Sequence, residues 1–115
     1  MAGLNEIEEC IFVNAGEMSP LWSILADWTK SEDEEKWVEY EPDFAKALKR
    51  LVQLEYVEVY IGPEWPAHVS GRLVPAGDVG KILDAHESWK YSENPDVVIG
   101  LSLGRNSSLA RGLAE

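Results

Sequence analysis

The chain predicts an α+β domain, with three N-terminal helices followed by a small antiparallel sheet and one extra short helix. Two observations carry this reading. Apolar residues recur at helical spacing to about residue 54, after which the pattern becomes the every-second-residue alternation of a half-buried strand. The 115 residues are also 45% hydrophobic, with five Trp, four Tyr and two Phe, enough for one core without metal or disulfide support. A single cysteine, Cys10, excludes an internal disulfide framework and points to a reducing cytoplasm. No basic N-terminus precedes an apolar run, and the longest nearly apolar stretch, Val97 to Leu103, is too short to span a bilayer. A cytoplasmic protein without a membrane role is therefore expected.

Leu4, Ile7, Cys10 and Ile11 share one face of a first helix that ends near Asn14-Ala15-Gly16, where Asn or Gly tolerates a left-handed cap. The β-branched and aromatic Cys10–Val13 leaves a strand as the alternative there. Ser19-Pro20 reads as N-cap and first helical residue of a second helix, with Leu21, Ile24, Leu25 and Trp28 on its stripe. A short helical turn is expected over Glu34–Val38. A third helix starts near Pro42, with Phe44, Ala47, Leu48, Leu51 and Val52 on one face. Val57, Val59 and Ile61 then alternate with Tyr56, Glu58 and Tyr60 as a strand. Gly62-Pro-Glu-Trp-Pro66 is a turn, because proline is excluded from a central strand, and Arg72-Leu-Val74 is the returning partner. A short helix from about Pro75 to Ala85 turns Val79, Ile82 and Leu83 inward. Ser92–Pro95 is a second turn, and Val97, Ile99, Leu101 and Leu103, alternating with Val98, Gly100 and Ser102, give a last strand. Residues 1–104 are expected to form a single domain with an acidic insert at 30–42, and residues 105–115 a flexible tail.

Charge is distributed unevenly. Between Asp27 and Asp43 stand eight carboxylates (Asp27, Glu32, Asp33, Glu34, Glu35, Glu39, Glu41, Asp43) against two lysines, a local balance of −6 within a chain total of −11. Such a belt repels phosphate and attracts basic surfaces, so a basic protein is the expected partner and nucleic acid is disfavoured.

Phe44-Ala-Lys-Ala-Leu-Lys-Arg-Leu-Val-Gln-Leu-Glu-Tyr-Val-Glu-Val-Tyr60 resembles the third helix of a winged-helix domain running into its first wing strand, as in many small bacterial regulators. The resemblance covers about residues 4–74 and implies a winged-helix-like fold. Two features depart from the DNA-reading members. About a dozen residues separate the second and third helices where a tight turn is usual, and they carry the acidic belt. The third helix also opens with Glu41-Pro-Asp43, setting negative charge where phosphate would meet a helix N-terminus.

The residues offer little chemistry. His68 and His86 lack metal-ligand spacing with each other or with Cys10, so no metal is expected. Cys10 lies on the apolar stripe and reads as an inert thiol. His86-Glu87-Ser88 are too close in sequence for triad geometry, and Gly100-Leu-Ser-Leu-Gly104-Arg-Asn-Ser lacks the Gly-Lys-Ser/Thr ending of a phosphate loop. Glu32-Asp33-Glu34-Glu35 lacks the ligand alternation of a calcium loop. No catalytic role and no cofactor are expected.

Binding is the remaining class. Glu32, Asp33, Glu34, Glu35, Trp37, Glu39 and Glu41 suit a protein-binding patch, in which an aromatic ring supplies affinity and carboxylates steer a basic partner. The alternatives are a purely solvating loop and a Trp37 packed on its own core. Trp65, between Pro63 and Pro66 at the wing tip, either meets a partner or folds back over the strands. Trp22, Trp28 and Trp89 belong to the core or its margin. Immunity proteins, antitoxins and DNA-mimic inhibitors exemplify the implied binding class. The competing reading is a DNA-binding regulator that uses Lys46, Lys49, Arg50 and Gln53 at i, i+3, i+4, i+7 on the third helix. Against it, these side chains are expected to pair with Asp43 and the insert. Both a monomer and a homodimer stay open; a homodimer would strengthen the regulator reading, with Val97–Leu103 as an edge for pairing, although covering of that edge by the fold itself is the simpler use.

Overall fold

Asn5 and Glu8 close a reciprocal cap at the start of α1 (Glu6–Gly16). The Asn5 side chain accepts the Glu8 N–H at 2.8 Å and the Glu8 carboxylate accepts the Asn5 N–H at 3.1 Å. The computed structural model describes residues 4–91 and 97–109. The helix carries Cys10–Val13 within it, so the strand alternative for that stretch is not adopted. Ile11, Phe12 and Ala15 form its buried face. It stops where Met18 takes a left-handed φ of 57° and Ser19 donates its N–H back to the Asn14 carbonyl at 3.0 Å.

Pro20 stays extended and caps α2 (Leu21–Thr29) instead of entering it as the first helical residue. The reason lies across the chain: the Ser19 carbonyl accepts the Leu101 N–H at 3.0 Å, which holds Ser19 and Pro20 beside the last strand. Leu21, Ile24 and Leu25 are buried and Lys30 ends the helix in the left-handed region. Asp33 caps the five-residue α3 (Glu34–Val38) by accepting the Glu35 N–H at 3.0 Å. In α4 (Glu41–Gln53), Pro42 sits in the first turn where its missing N–H costs nothing, and Phe44, Ala45, Leu48, Leu51 and Val52 are buried.

Three strands form an antiparallel sheet in the order β2-β1-β3. β1 (Val57–Gly62) lies in the middle, and β3 (Val98–Leu103) pairs with it from Val57↔Leu103 to Gly62↔Val98. β2 (Arg72–Leu73) contributes only two pairs, Tyr60↔Leu73 and Ile61↔Arg72. The expected Arg72–Val74 return does pair with β1, but the longer pairing is with the distant β3. Opposed pairs Val57/Leu103, Val59/Leu101 and Ile61/Ile99 put apolar side chains on one face, a gain that Arg72-Leu73 cannot match. Between β1 and β2 lies an unexpected short helix, α5 (Ala67–Ser70), and after β2 come α6 (Ala76–Leu83) and a 3₁₀ turn over His86–Trp89.

The core lies between the helices and the inner sheet face. Phe44, Leu48, Leu51, Ile24, Leu25 and Trp89 belong there to one buried cluster with Val57, Val59 and Leu101. Residues 105 and 106, expected in a flexible tail, are tied down. Asn106 N–H donates to the Glu55 carbonyl at 2.9 Å, and Arg105 Nε reaches the Glu55 carboxylate at 2.7 Å. The rest of that tail from residue 110, and the Ser92–Pro95 turn, lie outside the described residues.

Candidate functional site

The acidic belt becomes one side of a cavity. α2 contributes Trp22, which follows the buried Leu21 and so stands at the margin of the core. The loop before α3 and its first turn contribute Glu32, Asp33, Glu34 and Glu35, all exposed, and the next turn brings in Trp37. The segment after the 3₁₀ turn contributes Tyr91, whose backbone N–H donates to a Glu34 carboxylate oxygen at 2.8 Å. Together these seven residues line a cavity of about 700 Å³, a size suited to part of a peptide or a small ligand.

Its floor is aromatic. Trp22 and Trp37 stack with ring centroids 6.2 Å apart and planes 18° apart, and Tyr91 meets Trp22 edge-on at 4.9 Å and 63°. Trp37 itself is 2% exposed, and its indole N–H donates to the Ser31 carbonyl at 2.9 Å. Of the two readings of Trp37, exposed anchor or ring packed on its own core, the second is adopted: the short α3 turns the ring inward, and Trp37 supports the site from beneath. Trp22 is half-buried and Tyr91 exposed, so they supply the accessible aromatic surface.

The four carboxylates have no ion-pair partner among the described residues. The ion pairs that do form lie elsewhere: Asp27 with Lys30 at 3.3 Å, Asp84 with Lys49 at 2.6 Å, Glu55 with Arg105, and Glu8 with Arg50. Lys90 lines a smaller adjoining cavity of about 160 Å³ with Glu34 and Glu35 but forms no ion pair with them. Of the other patch residues, Glu39 is exposed outside the cavity, whereas Glu41 is mostly covered and bonded to His86 Nδ1 at 2.8 Å. His86 is therefore not simply a solvated helix-end ring. Trp65 remains 47% exposed but leans over β3, where Gly100 leaves room for its ring. It is not brought into the cavity.

The third-helix face looks different from its sequence. Lys49 is held by Asp84 at the end of α6, and Arg50 by the buried Glu8 of α1. The neutralising acids thus come from α1 and α6, not from Asp43 and the insert as expected. Lys46 and Gln53 are exposed. A groove of about 280 Å³ between α1 and α4 includes Asp43, Lys46 and Arg50 and shares no lining residue with the acidic cavity.

Cys10 is half-buried, with its sulfur 3.8 Å from the Asp27 carboxylate. Burial first, and the Asp27 charge second, push its thiol from an ordinary 9.0 up to about 11. The Asn14 amide, donating at 3.2 Å, holds the Asp27 carboxyl below its ordinary range. At pH 8, Cys10 in the native protein is expected to react with a disulfide reagent on the order of 100-fold more slowly than in the urea-unfolded chain, matching its smaller thiolate fraction. Equal rates in the two states would remove the shielding argument.

Among the described residues, no group of three or more His, Cys, Asp or Glu side chains could hold a metal ion, and no helix is long and apolar enough to cross a membrane. Sequence reasoning found the belt and missed Trp22 and Tyr91 as site residues. The only local signal was that Trp22 lies off the Leu21-Ile24-Leu25-Trp28 stripe of its helix. Comparison with family models, curated proteins and solved structures returned no match to this chain.

Proposed function

We propose that this protein is a non-enzymatic, cytoplasmic binding module of the immunity, antitoxin or DNA-mimic inhibitor type, engaging a basic protein through its acidic face. The observation that carries the proposal is the setting of four carboxylates, unpaired among the described residues, around one aromatic cavity. Lys49 and Arg50 of α4 are occupied by Asp84 and Glu8, while Glu32, Asp33, Glu34 and Glu35 rim an aromatic-floored cavity with no basic partner among the described residues. A surface with unpaired charge of one sign, set around a concave apolar floor, steers an oppositely charged partner and then holds it. The protonated, shielded Cys10 thiol gives no support to nucleophilic catalysis.

The scaffold reading we favour is winged-helix-like. It draws support from the order α1, α2, α4, β1, β3 and from the Ser19–Pro20 segment lying beside β3. Residues 63–97 would then be an insertion within the wing.

Charge reversal tests the proposal, and the choice of residues matters. Asp33 caps α3 and Glu34 holds Tyr91, so Glu32→Lys with Glu35→Lys alters charge without removing either contact. The double variant is expected to associate with a basic protein captured from source lysate at least about tenfold more slowly, with a flatter salt dependence. Unchanged capture and rate would end the proposal. Salt-sensitive binding to duplex DNA that is lost in Lys46→Ala with Gln53→Ala would favour the regulator reading instead.

A further inference from the structure

We infer that the corner between Trp22 and Tyr91 receives a single arginine side chain of the partner, its guanidinium edge directed to Glu32 and Glu35; this rests on the proposed binding of a basic protein. Three observations narrow the occupant. First, the rim carries negative charge with no cation matched to it among the described residues, so the occupant is cationic. Second, the accessible rings are two, Trp22 and Tyr91, inclined at 63°, with Trp37 buried beneath. Two inclined rings make an open corner, not the closed aromatic box that surrounds a methylated ammonium group. A flat guanidinium lays one face on a ring and keeps its N–H edge free.

Third, the nearest carboxylates are unequal in what they have left to offer. Asp33 accepts the Glu35 N–H and Glu34 accepts the Tyr91 N–H, whereas Glu32 and Glu35 accept no hydrogen bond from the described residues. The planar fork of arginine, weakly hydrated and carrying five donors, matches two separate carboxylates beside a ring face. Lysine, with a compact and strongly hydrated charge, exploits neither feature as well.

The test uses the whole protein and blocked amino acids. Indole N–H resonances of the five tryptophans are followed by NMR, with Trp22→Phe assigning the Trp22 signal. N-acetylarginine methylamide is expected to shift the Trp22 resonance saturably, with Trp65 unmoved as an internal control. The lysine analogue should bind about tenfold more weakly, and the citrulline analogue, nearly the same shape without charge, should not saturate. Tyr91→Ala and Glu32→Gln with Glu35→Gln should each weaken arginine binding about fivefold or more, and neither removes a core side chain. Equal shifts with citrulline, a response centred on Trp65, or indifference to Tyr91→Ala overturns the inference. So does a Trp22 shift produced by raising the protein concentration alone, since a second copy then occupies the corner. The two failures are distinguishable. Charge-dependent partner capture without arginine binding keeps the binding module and removes the arginine corner, whereas arginine binding without such capture removes the module and with it the partner that would supply the arginine.

Discussion

Trp89→Ala is expected to lower the unfolding free energy by about 3–5 kcal/mol, the range for truncating a large buried aromatic residue. Trp89 is 1% exposed and heads the fully buried side chains by volume. Its indole N–H donates to the Leu83 carbonyl at 2.8 Å, which ties the 3₁₀ turn to the end of α6 and satisfies a helix-terminal acceptor that would otherwise be orphaned. Alanine removes both the packing and that bond. Trp89→Phe keeps most of the packing and loses the donor, and should cost about 1–2 kcal/mol. Urea titration followed by far-ultraviolet circular dichroism measures both without relying on tryptophan emission. Because Tyr91 follows two residues later, the alanine variant should also disturb the Trp22 indole resonance. A loss below about 1 kcal/mol would mean that the turn is not anchored by this ring.

Legibility of the fold followed the range of the interactions. Helix α4 was readable because its apolar residues, Phe44, Leu48, Leu51 and Val52, form a stripe that local spacing alone defines. The short α3 was readable from Glu34 to Val38, and β1 from the alternation of Val57, Val59 and Ile61. Both strands that flank β1 were readable, but not which of them pairs with it over the greater length. Chain proximity favours Arg72–Val74, and only the apolar pairs across to Ile99, Leu101 and Leu103 reveal β3 as the better match. The tail likewise looked free because its anchor, Glu55, stands about fifty residues earlier in the chain.

The candidate site divides along the same line. Its charge was visible as a run of acids, since charge is a local property of sequence. Its aromatic surface was not, because Trp22 and Tyr91 meet only through folding, and Trp37 was ambiguous until the register of a five-residue helix was known. The basic ridge misled in the opposite direction. Lys46, Lys49, Arg50 and Gln53 satisfy the spacing of a groove-reading face, yet Glu8 and Asp84, which claim two of them, are distant in sequence. Spacing identifies what a face presents before it knows its neighbours.

Arg50→Ala separates these two uses of the ridge. Glu8 is almost wholly buried, and its carboxylate serves both the Asn5 cap and the Arg50 guanidinium. Removing the arginine strands a buried charge between α1 and α4. Loss of one partner from a fully buried pair costs more, but Arg50 is about half exposed and water would reach the vacated space, so about 1–3 kcal/mol is expected. Glu8→Gln removes the charge while its amide oxygen still accepts the Asn5 N–H, because glutamine also completes this cap. Combined with Arg50→Ala, it should therefore recover part of the loss, and a double-mutant cycle read by urea titration should give a clear coupling. Were Arg50 a nucleic-acid contact instead, its alanine variant would stay within about 0.5 kcal/mol of the parent and weaken retention on duplex DNA at low salt. The two outcomes differ in both stability and binding, so one variant decides whether this arginine faces inward to Glu8 or outward to phosphate.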